Sequence, residues 1–192
     1  MDPALARPTR APATTIVVAA ACLLGAEGIH TAVIAPHFAE WWAEGAFFLA
    51  LSVLEGALAA ALLLAPSRTV SQAAVLASLA TIAVWAWSRT TGLPIGPEAG
   101  YPEAVGRADT IATLLEALTA LALVPAILQP LRGMRRVPLT ACTHRSTNAA
   151  VAAVAAVALV TAFGLLGADN HTHPAGHAAP APINVAAATS GR

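Results

Sequence analysis

The chain has 192 residues, 57% hydrophobic and only 10% charged, and its formal net charge is +0. A soluble domain carries about 25% charged residues, so there is too little polar surface here to coat a water-soluble body. No basic or acidic excess points to nucleic acid, and a mean hydropathy of +0.70 directs the chain to a lipid bilayer.

Apolar stretches alternate with charged connections, and the sign of the charge alternates with them. Arg7 and Arg10 precede the first stretch, and Glu40 and Glu44 follow it. Arg68 follows the second, Glu98, Glu103 and Asp109 the third, Arg132, Arg135 and Arg136 the fourth, and Asp169 the fifth. Arginine near span ends marks the cytoplasmic side. The pattern predicts an all-α polytopic bundle of five transmembrane helices over 14–168, with the N-terminal segment 1–13 inside and the C-terminus outside.

The first span is expected over 14–35. Pro36 lacks an N–H and clashes with the preceding turn, so it should end the helix. Residues 36–44 carry His37, Glu40, Trp41, Trp42 and Glu44. Adjacent tryptophans beside acids suit the membrane–water boundary, which predicts a short interfacial helix on the outer surface. The second span is expected over 45–64, with a tight inner turn at APSR, and the third over 70–87, ending in Trp85 and Trp87. The connection 88–108, SRTTGLPIGPEAGYPEAVGRA, mixes turn-forming glycines with stiff prolines. Its regular Pro spacing and apolar Leu93, Ile95 and Tyr101 predict an ordered lid over the outer helix ends. The fourth span is expected over 109–128 and the fifth, mostly Ala and Val, over 149–167. Small side chains in the fifth suit close helix packing. The tail 169–192 is Ala- and Pro-rich and is expected to be disordered. Cys22 falls inside a span and Cys142 in an inner loop, too far apart to bridge, and both read as small apolar residues. A cleaved signal with a lipoprotein cysteine is disfavoured, because the apolar run continues past Cys22.

The segments HFAEWWAEGAFF and SRTTGLPIGPEAGYPEAVGRAD resemble those of small multi-pass membrane proteins of bacteria, especially high-GC Gram-positives. The resemblance covers residues 30–123. It implies the same topology in a bacterial plasma membrane, and it makes His30, His37, Glu40, Arg89, Gly92, Pro94, Pro97, Glu103 and Asp109 the family positions. It carries no reaction with it.

Three acids fall inside spans: Glu27, Glu55 and Glu116. Intramembrane carboxylates are costly, and they face the bundle interior and pair with something. At about 1.5 Å of rise per residue, Glu27 lies roughly 12 Å below the outer end of its span, Glu55 roughly 15 Å and Glu116 roughly 10 Å. His30, three residues after Glu27, shares its helix face. A Glu27–His30–Glu55–Glu116 layer is thus expected in the outer half. Imidazole with carboxylates suits a transition metal such as Zn, Mn, Fe or Cu, and Glu-x-x-His is a ligand pattern of helical bundles. The same layer also reads as a proton path or as packing glue between helices. Haem is disfavoured because His30 is the one histidine within a span. LEGALAA around Glu55 and LEALTAL around Glu116 look alike, which suggests either a faint duplication or merely two Ala- and Leu-rich helices.

His171, His173 and His177 alternate in the tail, where an extended chain points imidazoles the same way and short His-rich tracts bind metal weakly. His37, Glu40 and Glu103 are further ligand candidates on the outer face. Arg89 and Asp109 bracket the long loop and read as a salt bridge clamping its base. No nucleophile triad, phosphate loop or dinucleotide fingerprint appears. The leading expectation is a non-enzymatic membrane protein that binds a metal ion or small ligand at the carboxylate–histidine layer. The competing ones are an accessory subunit of a larger membrane complex, or a homo-oligomer, and a proton-coupled transporter. An odd number of spans without a clear inverted repeat counts against transport.

Overall fold

The computed structural model describes residues 13–128 and 144–166. Among these are five α-helices and no strand: α1 (Ala13–Glu40), α2 (Trp42–Leu64), α3 (Arg68–Thr90), α4 (Arg107–Leu128) and α5 (His144–Leu165). Four of them, α1 to α4, are long and apolar enough to cross a membrane. The apolar part of α5, Ala150–Leu165, is shorter than the about 20 residues that a bilayer's hydrocarbon core requires.

Polar and apolar side chains are placed inside out relative to a water-soluble bundle. Val53, Leu64, Leu76, Leu114 and Leu121 are exposed, whereas Ser52, Glu55, Ser71, Ser78, Glu116 and Thr119 are buried. In lipid an outward leucine costs nothing, while an outward hydroxyl or carboxylate lacks a partner. Burying the few polar groups between helices is therefore what orients each helix.

The central helix is α1, which packs against α2, α4 and α5, while α3 packs mainly against α4. Its buried face is Ala19, Ala20, Cys22, Leu23, Ala26 and Ile29. One part of this face meets Ala59 and Leu62 of α2, Ala74 of α3 and Leu123 of α4. The other meets Ala108, Ile111, Ala112 and Leu115 of α4. Cys22 lies in this second group with a fully buried side chain, whereas Cys142 is outside the described residues. A methyl group at Gly25 would come within 2.6 Å of the Thr161 hydroxyl on α5 and 3.0 Å of Leu115 on α4. The close approach of three helices at this level thus depends on glycine.

Pro36 does not end α1. The helix runs through it and stops one turn later at Glu40. The proline removes one backbone bond, but so close to the helix end little depends on it. The chain reverses at a single extended residue, Trp41, with φ −156 and ψ 126. Its carbonyl accepts from the amides of Glu44 and Gly45 at 3.1 and 3.2 Å. In place of the separate interfacial helix expected over 36–44, these residues form the facing ends of α1 and α2. At the other end of α2, Ser67 caps α3, its Oγ accepting from the Val70 amide at 3.1 Å, a standard way to satisfy a helix-start donor.

The connection from α3 to α4 is shorter than 88–108, because α3 continues to Thr90 and α4 begins at Arg107. The Gly100 amide donates to the Leu93 carbonyl at 2.8 Å, that of Tyr101 to Glu98 at 3.0 Å, and that of Glu103 to Ser88 at 3.0 Å. Gly96 lies against Trp41, whose ring a methyl at that position would meet at 3.1 Å. Gly92 has φ +75, and a methyl there would come within 2.5 Å of the Tyr101 backbone. The Gly92→Ala substitution is expected to cost about 1–3 kcal/mol locally. Faster hydrogen exchange at the Gly100 and Glu103 amides than in the wild type would register that loss, and unchanged exchange would contradict it.

Candidate metal centre

Three helices each bring one ionisable side chain to the same buried point. His30 comes from α1, Glu55 from α2 and Glu116 from α4, with exposures of 6%, 0% and 1%. One donor atom from each lies within 4.8 Å of the other two. The His30 Nδ1 is 3.0 Å from both Glu55 carboxylate oxygens. Local sequence explains the aim of each side chain. His30 follows Ala26 by one turn on the buried face of α1. Glu55 follows Ser52, and Glu116 is flanked by Leu115 and Thr119, all buried.

Glu116 differs from its neighbours in one respect. Both of its carboxylate oxygens are buried and neither sits in a well-formed hydrogen bond, the polar groups facing it being Glu55 and the Ser78 hydroxyl. A buried carboxylate with so few donors is costly. Two carboxylates this close also repel if both are charged, so the pocket needs a cation, either a proton or a metal ion.

Glu27 is not a member of this group. It is half-buried on α1, and its Oε1 accepts from the Thr31 hydroxyl at 3.0 Å. Residues three apart on a helix are rotated by about 60°. With His30 turned into the bundle, Glu27 falls on the flank toward α2, near Gly56. Of the four-residue layer expected, the structure brings three together.

A second group lies at the reversal between α1 and α2. Donor atoms of His37, Glu40 and Glu44 are within 4.8 Å of one another. His37 Nδ1 is 3.7 Å from Glu40 Oε2 and 3.5 Å from Glu44 Oε1, and all three residues are more exposed than the buried trio. The His37 ring stacks on Phe48 at 4.4 Å, and Phe48 also lies 5.7 Å from the His30 ring. Glu44 was not among the expected ligand candidates, because a helix stop at Pro36 hides it. With α1 running to Glu40 and the chain folding back at Trp41, Glu44 returns to His37.

Glu103, grouped with His37 and Glu40 on sequence grounds, instead pairs with Arg89. Asp109 Oδ2 accepts from Arg89 Nε at 3.0 Å, Arg89 Nη2 at 2.8 Å and Trp85 Nε1 at 3.0 Å. The other Asp109 oxygen is buried and unpartnered. The last turn of α3 is thereby tied to the first turn of α4. Between this clamp and the buried centre lies a cavity of about 100 Å³, lined among others by His30, Phe48, Trp85, Arg89, Glu103 and Asp109. A larger space of about 310 Å³ lies under the loop, lined by Glu40, Trp41, Glu44, Glu98 and Glu103 among others. His171, His173 and His177 are outside the described residues.

Fold and site together define an apolar helical bundle that buries one imidazole and two carboxylates between three helices. Comparison of the chain with protein-family models, with curated proteins and with solved structures gave no match.

Proposed function

We propose that the protein is a multi-pass membrane protein of a bacterial plasma membrane that binds one divalent transition-metal ion through His30, Glu55 and Glu116. In this reading α5 makes the fifth crossing over its full 22 residues, with its polar first turn at the membrane boundary, and the loop between α3 and α4 faces the outside. The observation that carries it is the convergence of one imidazole and two buried carboxylates, His30, Glu55 and Glu116, at a single point. Donors about 2.1 Å from one ion and at about a right angle are roughly 3 Å apart, which is the spacing of His30 Nδ1 from Glu55. A hydrogen bond explains that contact equally well, and Glu116, facing Glu55 and Ser78, brings a third donor to the same point. One nitrogen and carboxylate oxygens suit Mn, Fe or Zn, without the soft sulfur donors that select Cu(I).

Elemental analysis of the purified protein tests the reading. The wild type is expected to carry about one transition-metal ion per chain, and the His30→Ala and Glu55→Ala variants less than about a tenth of that while keeping their helical spectrum. Equal metal content in all three would reject it. Because protons compete with metal for the same donors, the apparent affinity should fall as pH is lowered. Titration of the metal-free protein at several pH values measures this, and a pH-independent affinity would count against ligation by these groups.

A further inference from the structure

If a metal ion occupies the buried centre, it needs a way in, and the two cavities supply one. The inner chamber touches the centre through His30. The space under the loop is lined by four acidic residues, Glu40, Glu44, Glu98 and Glu103, and among the described residues by no basic side chain. Leu93 and Glu103 line both cavities, so these two side chains form the partition between them. We infer that a divalent cation reaches the centre from the loop end of the bundle, captured by the acidic pocket and admitted past Leu93 and Glu103 into the chamber beside His30. This inference rests on the metal reading above.

The chemistry along the way fits a hydrated cation. Clefts lined by one sign of charge with apolar walls concentrate the opposite charge and raise association rates. Among the described residues, His37 lies beside Glu40 and Glu44, and Arg89 pairs with Glu103. The Arg89 pairing ties Glu103 into the partition. Inside, about 100 Å³ is well above the about 10–15 Å³ that one water needs on the same measure, enough for an ion that keeps part of its shell. The buried, unpartnered Asp109 oxygen belongs to a residue lining that chamber and offers a ligand in place of a lost water. His30 follows. The Arg89–Glu103 pair and the hydrogen bond from the Glu103 amide to the Ser88 carbonyl hold the partition in position.

Stopped-flow loading of the metal-free full-length protein in lipid nanodiscs with Co2+, followed by its visible absorption on coordination, tests the inference. Leu93→Trp is expected to slow both loading and chelator-driven release by about tenfold or more, and Leu93→Ala to speed both, with the same final absorption in each, because a partition changes rates and not the bound state. The Glu44→Gln/Glu98→Gln variant is expected to load about tenfold more slowly at low ionic strength, with a flatter salt dependence than the wild type. Wild-type rates in all three variants would overturn the inference, as would Leu93 variants shifting the rate in the same direction, or a reduced final absorption in any of them. A wild type that shows no Co2+ absorption, or a His30→Ala variant that matches it, would instead overturn the metal reading itself.

Discussion

The Glu116→Leu variant is expected to lose metal binding, with affinity lowered by at least about 100-fold, and yet to be more stable than the wild type when both are metal-free. The first part follows from removing one of three donors. The second follows from the burial of Glu116, whose exposure is 1%, and from its place beside a second buried carboxylate, Glu55. Replacing a buried ionisable group by an apolar one of similar volume is often stabilising, by about 1–4 kcal/mol. A carboxyl group that served as glue between helices would give the opposite sign, since its loss would break interhelical hydrogen bonds. Thermal unfolding of the two metal-free proteins in the same nanodiscs separates these cases. A less stable Glu116→Leu protein would assign Glu116 to packing.

The second large effect is expected at the clamp. Asp109 accepts three hydrogen bonds through one oxygen, two from Arg89 and one from Trp85. Arg89 and Asp109 are largely buried, with side-chain exposures of 13% and 17%. Removing one partner of a buried pair leaves the other uncompensated and costs about 3–5 kcal/mol. Asp109→Ala is therefore expected to destabilise the protein by about 3 kcal/mol, at the low end because Glu103 still faces Arg89. The Asp109→Ala/Arg89→Met double variant is expected to recover part of that loss, as contacting residues are not additive. Chemical unfolding measures both. Additive losses would mean that the two side chains act independently.

Much of this arrangement was legible in the sequence because a membrane leaves few ways to place polar residues. The apolar runs with acids and arginines at their ends located α1 to α4 within a few residues. The depth of Glu55, Glu116 and His30 in their runs was enough to expect them in one layer, since helical rise converts sequence position into height. Rotation about the helix axis was harder to read. Hydrophobic patterning on α1 is apolar nearly all round, so nothing in the sequence shows that His30 turns inward and Glu27 to the flank. Pro36 misled for a related reason. Its local cost is real, but the packing of α1 against α2 and the reversal at Trp41 outweigh it. The surroundings of Glu116 were not readable at all, because they depend on which side chains the other helices turn toward it.

X-ray absorption at the edge of the bound metal in the purified wild type tests the central claim most directly. The predicted shell has one imidazole and carboxylate oxygens at about 2.0–2.2 Å, with no sulfur. A sulfur shell near about 2.3 Å, or a shell without the multiple-scattering signature of imidazole, would contradict ligation by His30, Glu55 and Glu116.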